Sequence, residues 1–229
     1  MLSRIAVVVP AHDERDLLPA CLAALRRSAR RVAPIPVEII VVADACTDDT
    51  AETARAAGAH VEVIGARNVG QARRAGMAHA LRDGAEGLWL ATTDADTRVG
   101  PGWFAWHRRH AGAGVEVLAG TVTVGDWSPW PATVRAEYDV LYRAGITATG
   151  HSHVHGANLG CDAGTYRRIG GFAGLRHDED RDLIARAETA GARVVHDTGS
   201  PVVTSGRRTA RAPAGFAALL TSLALDARV

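Results

Sequence analysis

The feature that most constrains this chain is a rhythm: through its first half, short β-rich runs alternate with longer segments of helical pattern. Ile5–Val9 is apolar at every position, as a strand covered on both faces requires. Glu14–Arg31 then carries Leu17, Leu18, Cys21, Leu22 and Leu25 along one helical face, with basic residues near its end. Pro19 suits the first turn of that helix. Val37–Val42 predicts a second strand, and a helix capped by Thr47 or Asp48 runs to Ala57, where Gly58 stops it. His60–Ile64 predicts a third strand, Gly70–Arg82 a helix and Gly87–Ala91 a fourth strand. Strand and helix in strict alternation imply an α/β chain with a mostly parallel, Rossmann-like sheet flanked by helices. Ligands of such sheets collect beyond the carboxyl ends of the strands. The unusual polar stretches fall there: Pro10–Glu14, Asp44–Asp49 and Thr92–Thr97.

Beyond Pro101 the pattern loosens. A helix through Trp103–His110, a strand near Val115–Val124 and a helix around Val134–Ala144 are followed by a Gly- and His-rich stretch, Gly150–Gly164. Helices are expected over Ala163–Ile169 and Asp180–Ala190, and a last one over Ala214–Leu225, with Pro213 as its start signal and core packing as its default. The 229 residues suit one domain with a full core. A net charge of +1 gives no electrostatic footprint for nucleic acid. No apolar stretch approaches the roughly 20 residues that span a bilayer, so at most peripheral membrane contact is expected. Cys21, Cys46 and Cys161 are too scattered for a disulfide framework or a zinc site, which points to free thiols in a reducing, cytoplasmic compartment.

The sharpest chemical signal is Thr93-Asp-Ala-Asp-Thr97, closing an apolar strand. Two carboxylates one residue apart can share a hard divalent cation, Mg²⁺ or Mn²⁺, whose shell phosphate oxygens complete; a solvated acidic turn is the plain alternative. Pro10 and Glu14 stand just past the first strand, where a base or ribose has room, and Asp44 ends the second. Arg67–Gly76 opens a helix with small and cationic residues suited to a diphosphate.

Pro10-Ala-His-Asp-Glu14, Ala43-Asp-Ala-Cys-Thr-Asp-Asp-Thr50, Asn68–Gly76, Asp94-Ala-Asp96, Gly170-Gly-Phe172 and Glu179-Asp-Arg-Asp-Leu183 resemble, in order and spacing, the motifs of family 2 glycosyltransferases. The resemblance covers the chain to about Arg208 and implies a single GT-A domain. Residues 1–98 would form its nucleotide-sugar half, 99–208 its acceptor side and 209–229 a C-terminal helix. It implies a sugar transferred from a UDP- or GDP-linked donor to a small-molecule or lipid-linked acceptor. Pro10, Ala11, His12 and Glu14 would line the nucleoside, Asp44 would read the base, and Asp94 would lie by the ribose, with Asp96 and Asp94 on the metal side. Asn68, Arg73 and Arg207 would serve the diphosphate, Asn158 and Glu179 the acceptor, and Asp180 would be the general base.

Within Asp178–Asp182, Asp178 can instead cap the helix, and Glu179 and Asp182 can pair with Arg181 or Arg186. His12-Asp13 and Ala43 depart from the family pattern, and the Gln-x-x-Arg-Trp motif of processive synthases is absent, which favours a single transfer. An inverting transferase is expected; a retaining one, or a sugar-nucleotide-binding module without catalysis, are the alternatives. His151, His153 and His155 alternate and would share one face, His196 reads as a strand-end residue, and Trp127 and Trp130 offer a platform for an acceptor.

Overall fold

The structure, a computed structural model, describes residues 2–209 and 216–226. Pro213 and the first residues of the expected last helix lie outside the described residues. Four parallel strands carry the first half: β1 (Arg4–Ala11), β2 (Val37–Asp44), β3 (His60–Ile64) and β4 (Leu88–Thr92). The helices between them are α1 (Leu18–Ala29), α2 (Thr50–Ala56) and α3 (Val69–Ala80). The second half adds α4 (Trp103–Gly112), β5 (Val117–Val124), α5 (Ala132–Ala144), a small hairpin of β6 (Ile146–Thr147) and β7 (Gly150–His151), and β8 (Leu159–Asp162). It closes with α6 (Ala163–Arg168), α7 (Glu179–Thr189), β9 (Val194–Thr204) and α8 (Phe216–Asp226).

The described strands form one seven-stranded sheet, ordered β3-β2-β1-β4-β8-β5-β9, beside the hairpin. β8 runs antiparallel between β4 and β5, and β5 pairs parallel with β9. The sheet is therefore mostly parallel, as the alternation implied. β8 and the full length of β9 were not foreseen.

Each face of the sheet is sealed by its own core. One buries Val7, Val9, Leu18, Leu22, Leu25, Trp103 and Phe104 beneath α1 and α4; the other buries Val8, Val42, Ala72, Met77, Phe172 and Leu183 beneath α3, α6 and α7. Gly76 lets α3 lie against the sheet, because a Cβ there would meet Val8 and Val42 at 2.5 and 2.9 Å. A third cluster joins Trp130, Val134 and Tyr138 to Leu220 and Leu223, so α8 packs on α5 as expected of a core helix. Trp130 is buried there and donates from Nε1 to the Gly206 carbonyl, which removes it from the expected acceptor platform. Among the described residues, no helix is long and apolar enough to cross a membrane.

Candidate active site

The loops after β1 and β2 lock onto each other. Asp13 adopts a left-handed conformation (φ 52°), and its carboxylate accepts from the backbone N–H of Thr47 at 2.6 Å and of Asp48 at 3.3 Å. The Thr47 amide above all holds that carboxyl below the usual carboxylate range. His12 Nδ1 donates to the Asp44 carbonyl oxygen at 2.7 Å, and the Glu14 N–H donates to Thr50 Oγ1 at 2.8 Å. Pro10 and Ala11, the last residues of β1, enter the site through their backbone, and Cys46 Sγ donates to the Ala11 carbonyl.

Asp44 is buried, and its carboxylate accepts from three consecutive amides: Ala66 at 2.7 Å, Arg67 at 2.8 Å and Asn68 at 2.7 Å. Both of its oxygens serve the loop that starts α3, so any contact of Asp44 with a base would use the acceptor site left on Oδ2. Asn68 is likewise structural. It caps α3 by accepting from the Gln71 N–H at 2.9 Å, and its Nδ2 donates to the Gly174 carbonyl at 3.0 Å.

Two arginines organise the carboxylates beyond β4. Arg73, fully enclosed, donates from Nε to Glu179 at 3.0 Å, from Nη1 to Thr92 Oγ1 at 2.8 Å and from Nη2 to Asp94 at 2.8 Å. Gly156 makes room for it, since a Cβ there would run into the guanidinium. Expected on the diphosphate, Arg73 is instead the tie between the strand-end motif and α7. Arg207 grips Glu14 with both amino groups, at 2.8 and 2.6 Å, and lies 3.2 Å from Asp96. Residues 193 positions apart thus close the cleft over the acidic turn.

Asp96 has a side chain only 14% exposed. Burial pushes its carboxyl up to about 6, Arg207 pulls it back, and the charges of Asp94 and Glu14 add to the rise. A desolvated carboxylate beside two others is a site that favours a cation over a proton's partial remedy, so these residues fit a hard divalent ion.

The acidic run at the start of α7 sorts itself by partner. Asp178 is exposed, left-handed (φ 59°) and bound to His177; it makes no side-chain cap, contrary to one expectation. Glu179 is buried, with Oε1 on Arg73 Nε at 3.0 Å. Asp182 pairs with Arg186, which also holds the Ile169 and Gly171 carbonyls. Asp180 is the half-buried member whose carboxylate accepts from backbone amides, Gly156 at 2.6 Å and Arg181 at 2.8 Å. Burial, and next the Glu179 charge, raise its pKa.

Asn158 is fully buried, accepts from Trp103 Nε1 at 2.8 Å and donates to the Thr121 and Ser200 carbonyls at 2.9 Å each. Three of its four hydrogen-bonding positions are used within the protein and the side chain has no exposed surface. His151, His153 and His155 share a face, with successive ring centroids 5.9 and 5.8 Å apart, though His151 alone lies in a strand. His196 sits mid-strand in β9, its ring against His151.

Tyr142 was not singled out by the sequence. Its hydroxyl accepts from the Val122 N–H and so turns its hydrogen toward His155 Nε2, 3.3 Å away. Burial, followed by the neighbouring His153 and His151, lowers His155 to about 4, leaving a neutral imidazole beside the acidic cleft.

Solved structures share this architecture. TarS of S. aureus, residues 1–349 in complex with UDP-GlcNAc, aligns over 97% of this chain and 66% of its own, at 13% identity and a TM-score of 0.63. The mannosyltransferase PcManGT of Pyrobaculum calidifontis, in complex with GDP-Man and Mn²⁺, aligns over 92% and 59%, at 19% identity and a TM-score of 0.66. Glucosyl-3-phosphoglycerate synthase of Mycobacterium tuberculosis, with Mn²⁺, UDP and its product, aligns over 89% and 70%, at 18% identity and a TM-score of 0.58. The chain spans only 36% of the longer TarS structure and 66% of the shorter. Among curated protein sequences none matches the chain. At such identities these likenesses speak to the fold, which is GT-A. The glycosyl transferase family 2 model matches residues 6–180, most of the chain, with the strand-end motifs and the start of α7 inside the match. The chain therefore belongs to glycosyl transferase family 2.

Proposed function

We propose that the chain moves a sugar from a UDP- or GDP-linked donor to an acceptor hydroxyl, on a small or lipid-linked molecule, in a single inverting displacement. Three similar structures hold UDP-GlcNAc, GDP-Man or UDP, two of them with Mn²⁺, which supports a nucleotide-sugar donor and a divalent metal, Mg²⁺ or Mn²⁺. Asp96, with Asp94 beside it, would hold that ion, which supplies neutralisation of the diphosphate as it departs. Pro10, Ala11, His12 and Glu14 line the nucleoside side. Arg207 exchanges its pairing with Glu14 and Asp96 for the donor's phosphate oxygens.

Asp180 takes the proton of the acceptor hydroxyl as its oxygen bonds to the anomeric carbon. The bond from that carbon to the phosphate oxygen breaks, and the nucleoside diphosphate leaves with the electron pair. The observation that carries the reading is Arg73. By holding Asp94 and Glu179 at once it fixes the metal-side turn and the residue next to the base in one rigid frame.

The test is calorimetric titration with UDP and GDP, each with and without Mn²⁺. Metal-dependent binding of one nucleotide is expected, and NMR of the transfer product should show inversion. Retention refutes the single displacement, binding without turnover returns the chain to a sugar-nucleotide-binding module, and failure of both nucleotides with a folded protein refutes the donor site.

A further inference from the structure

At the opposite end of the sheet, four side chains from three successive elements converge. Glu38 lies near the start of β2, His60 opens β3 with Glu62 two residues on, and His79 stands in the last turn of α3. Ile40 pairs with His60 and Val42 with Glu62, so Glu38, His60 and Glu62 share the face that α3 covers. His60 Nε2 lies 2.9 Å and His79 Nδ1 2.7 Å from the same Glu62 oxygen, and the two rings stack with centroids 3.6 Å apart. These three ligand atoms lie within 4.8 Å of one another. On its other edge, His79 Nε2 faces Glu38 at 3.2 Å. Arg82 is the neighbouring cation: its Nη1 lies against both ring nitrogens of His79, and its Nη2 donates to Glu38 at 3.1 Å.

We infer that His60, Glu62 and His79 form a binding site for a borderline transition-metal dication such as Zn²⁺, separate from the donor site. Two imidazole nitrogens and one carboxylate oxygen are a ligand set this class of ion takes, with water completing the shell. In the loaded site Glu38 supplies the outer hydrogen bond, accepting Nε2–H so that the Nδ1 lone pair is left for the ion, with Arg82 turned from the ring onto Glu38. Donor atoms on a tetrahedral zinc stand roughly 3.3 Å apart, so loading widens the cluster slightly and turns the His60 ring out of its stack. His60 and Glu62 are each 39% exposed and have room to move, whereas His79, 9% exposed, is the anchor. β3 is the edge strand of the sheet, and the ion would clasp it to α3.

A second cluster, His12, Asp13 and Cys46, belongs to the donor site, and the Asp13 carboxylate there is taken by backbone amides. The test therefore uses the full chain carrying Asp96→Asn, which disables the donor-side ion, treated with chelator and titrated with Zn²⁺ by calorimetry and with Co²⁺ by visible absorption. One equivalent is expected, with the cobalt bands of a low-coordinate nitrogen–oxygen site. Adding His79→Asn or Glu62→Gln should weaken binding at least about 10-fold, and Glu38→Gln about 10-fold, the scale of lost outer-shell support. His60→Asn, at an exposed position, serves if a buried variant fails to fold. No bound ion in the Asp96→Asn protein overturns the inference, as does unchanged affinity in the His60 and Glu62 variants. A thiolate-to-cobalt band places the ion at Cys46 and overturns it equally.

Discussion

Asp96→Asn should make the protein more stable while disabling it. The carboxyl of Asp96 titrates near 6 instead of at 3.8 because burial opposes its charge. Keeping it ionised at neutral pH costs the fold about 3 kcal/mol, at 1.36 kcal/mol for each pH unit. The sign follows from linkage. With the folded pKa above the unfolded one, the penalty is complete above about 6, shrinks as pH falls through that value and vanishes below 3.8. An asparagine removes the charge but brings an amide that needs its own partners, and Arg207 keeps Glu14. Roughly half of the gain should survive, ~1–2 kcal/mol, or about 3–6 °C in Tm for a chain of this size. Scanning calorimetry in chelator at pH 7.5 and pH 5 measures it; the penalty at pH 5 is about half that at pH 7.5 while the amide cost is unchanged, so the gain should shrink by about 1.4 kcal/mol and nearly vanish. Saturating Mn²⁺ should reverse the ranking, since an ion at 100 times its Kd stabilises the wild type by about 2.7 kcal/mol and has no site in the variant. A variant no more stable than wild type at pH 7.5, or a gain independent of pH, refutes the reasoning that Asp96 is a strained, cation-seeking carboxylate.

Other expectations rest on the same frame. Arg73→Met strands the buried Glu179 carboxylate and should cost about 3–5 kcal/mol in denaturant unfolding. Adding Glu179→Leu should recover much of that loss, giving a coupling of at least ~2 kcal/mol in the double-mutant cycle. Asp180→Asn should leave Mn²⁺-dependent nucleotide binding near wild type and lower kcat by 100-fold or more, the scale of a lost general base; transfer at an undiminished rate would mean that the proton goes elsewhere. In the wild type, kcat/KM should fall as pH drops through about 6, because Asp96 and the raised Asp180 both act ionised. Retained activity at pH 5 argues against both assignments.

The first half of the fold was legible because its signals are local. β1 and β4 are mostly apolar runs bounded by turns, β2 becomes one after Glu38, β3 alternates polar with apolar residues, and the helices between them repeat their apolar residues within a few turns. β8 escaped notice because four residues in a glycine-rich stretch carry too little pattern, and its antiparallel insertion between β4 and β5 depends on partners far along the chain. β9 is interrupted by Gly199 and Pro201, which mark a break to any local reading, yet it pairs with β5 on both sides of a register shift. The site divides the same way. Asp94, Asp96 and Asp180 could be named from short motifs, since their spacing is the signal.

What spacing does not carry is the direction in which a polar side chain spends its hydrogen bonds. Asp44, Asn68 and Asn158 have the residue types of a binding site and sit at strand ends or in the acceptor half, but each closes on the chain's own backbone. An amide or carboxylate beside unpaired N–H groups satisfies them whether or not a ligand comes, because a buried donor left alone costs about 1–3 kcal/mol. Arg73 and Glu179 meet across 106 residues, and Arg207 and Glu14 across 193, distances over which no periodicity speaks. The two pairs also differ in a way that bears on catalysis. Arg73 is enclosed, with each of its three side-chain nitrogens donating to a protein group, which suits a fixed support, whereas Arg207 stands about a quarter exposed. Asp96 gains from Arg207 only part of what burial takes away, so under the proposed function an ion offered to that carboxylate would replace Arg207 there and let it turn to the phosphates that arrive with the ion.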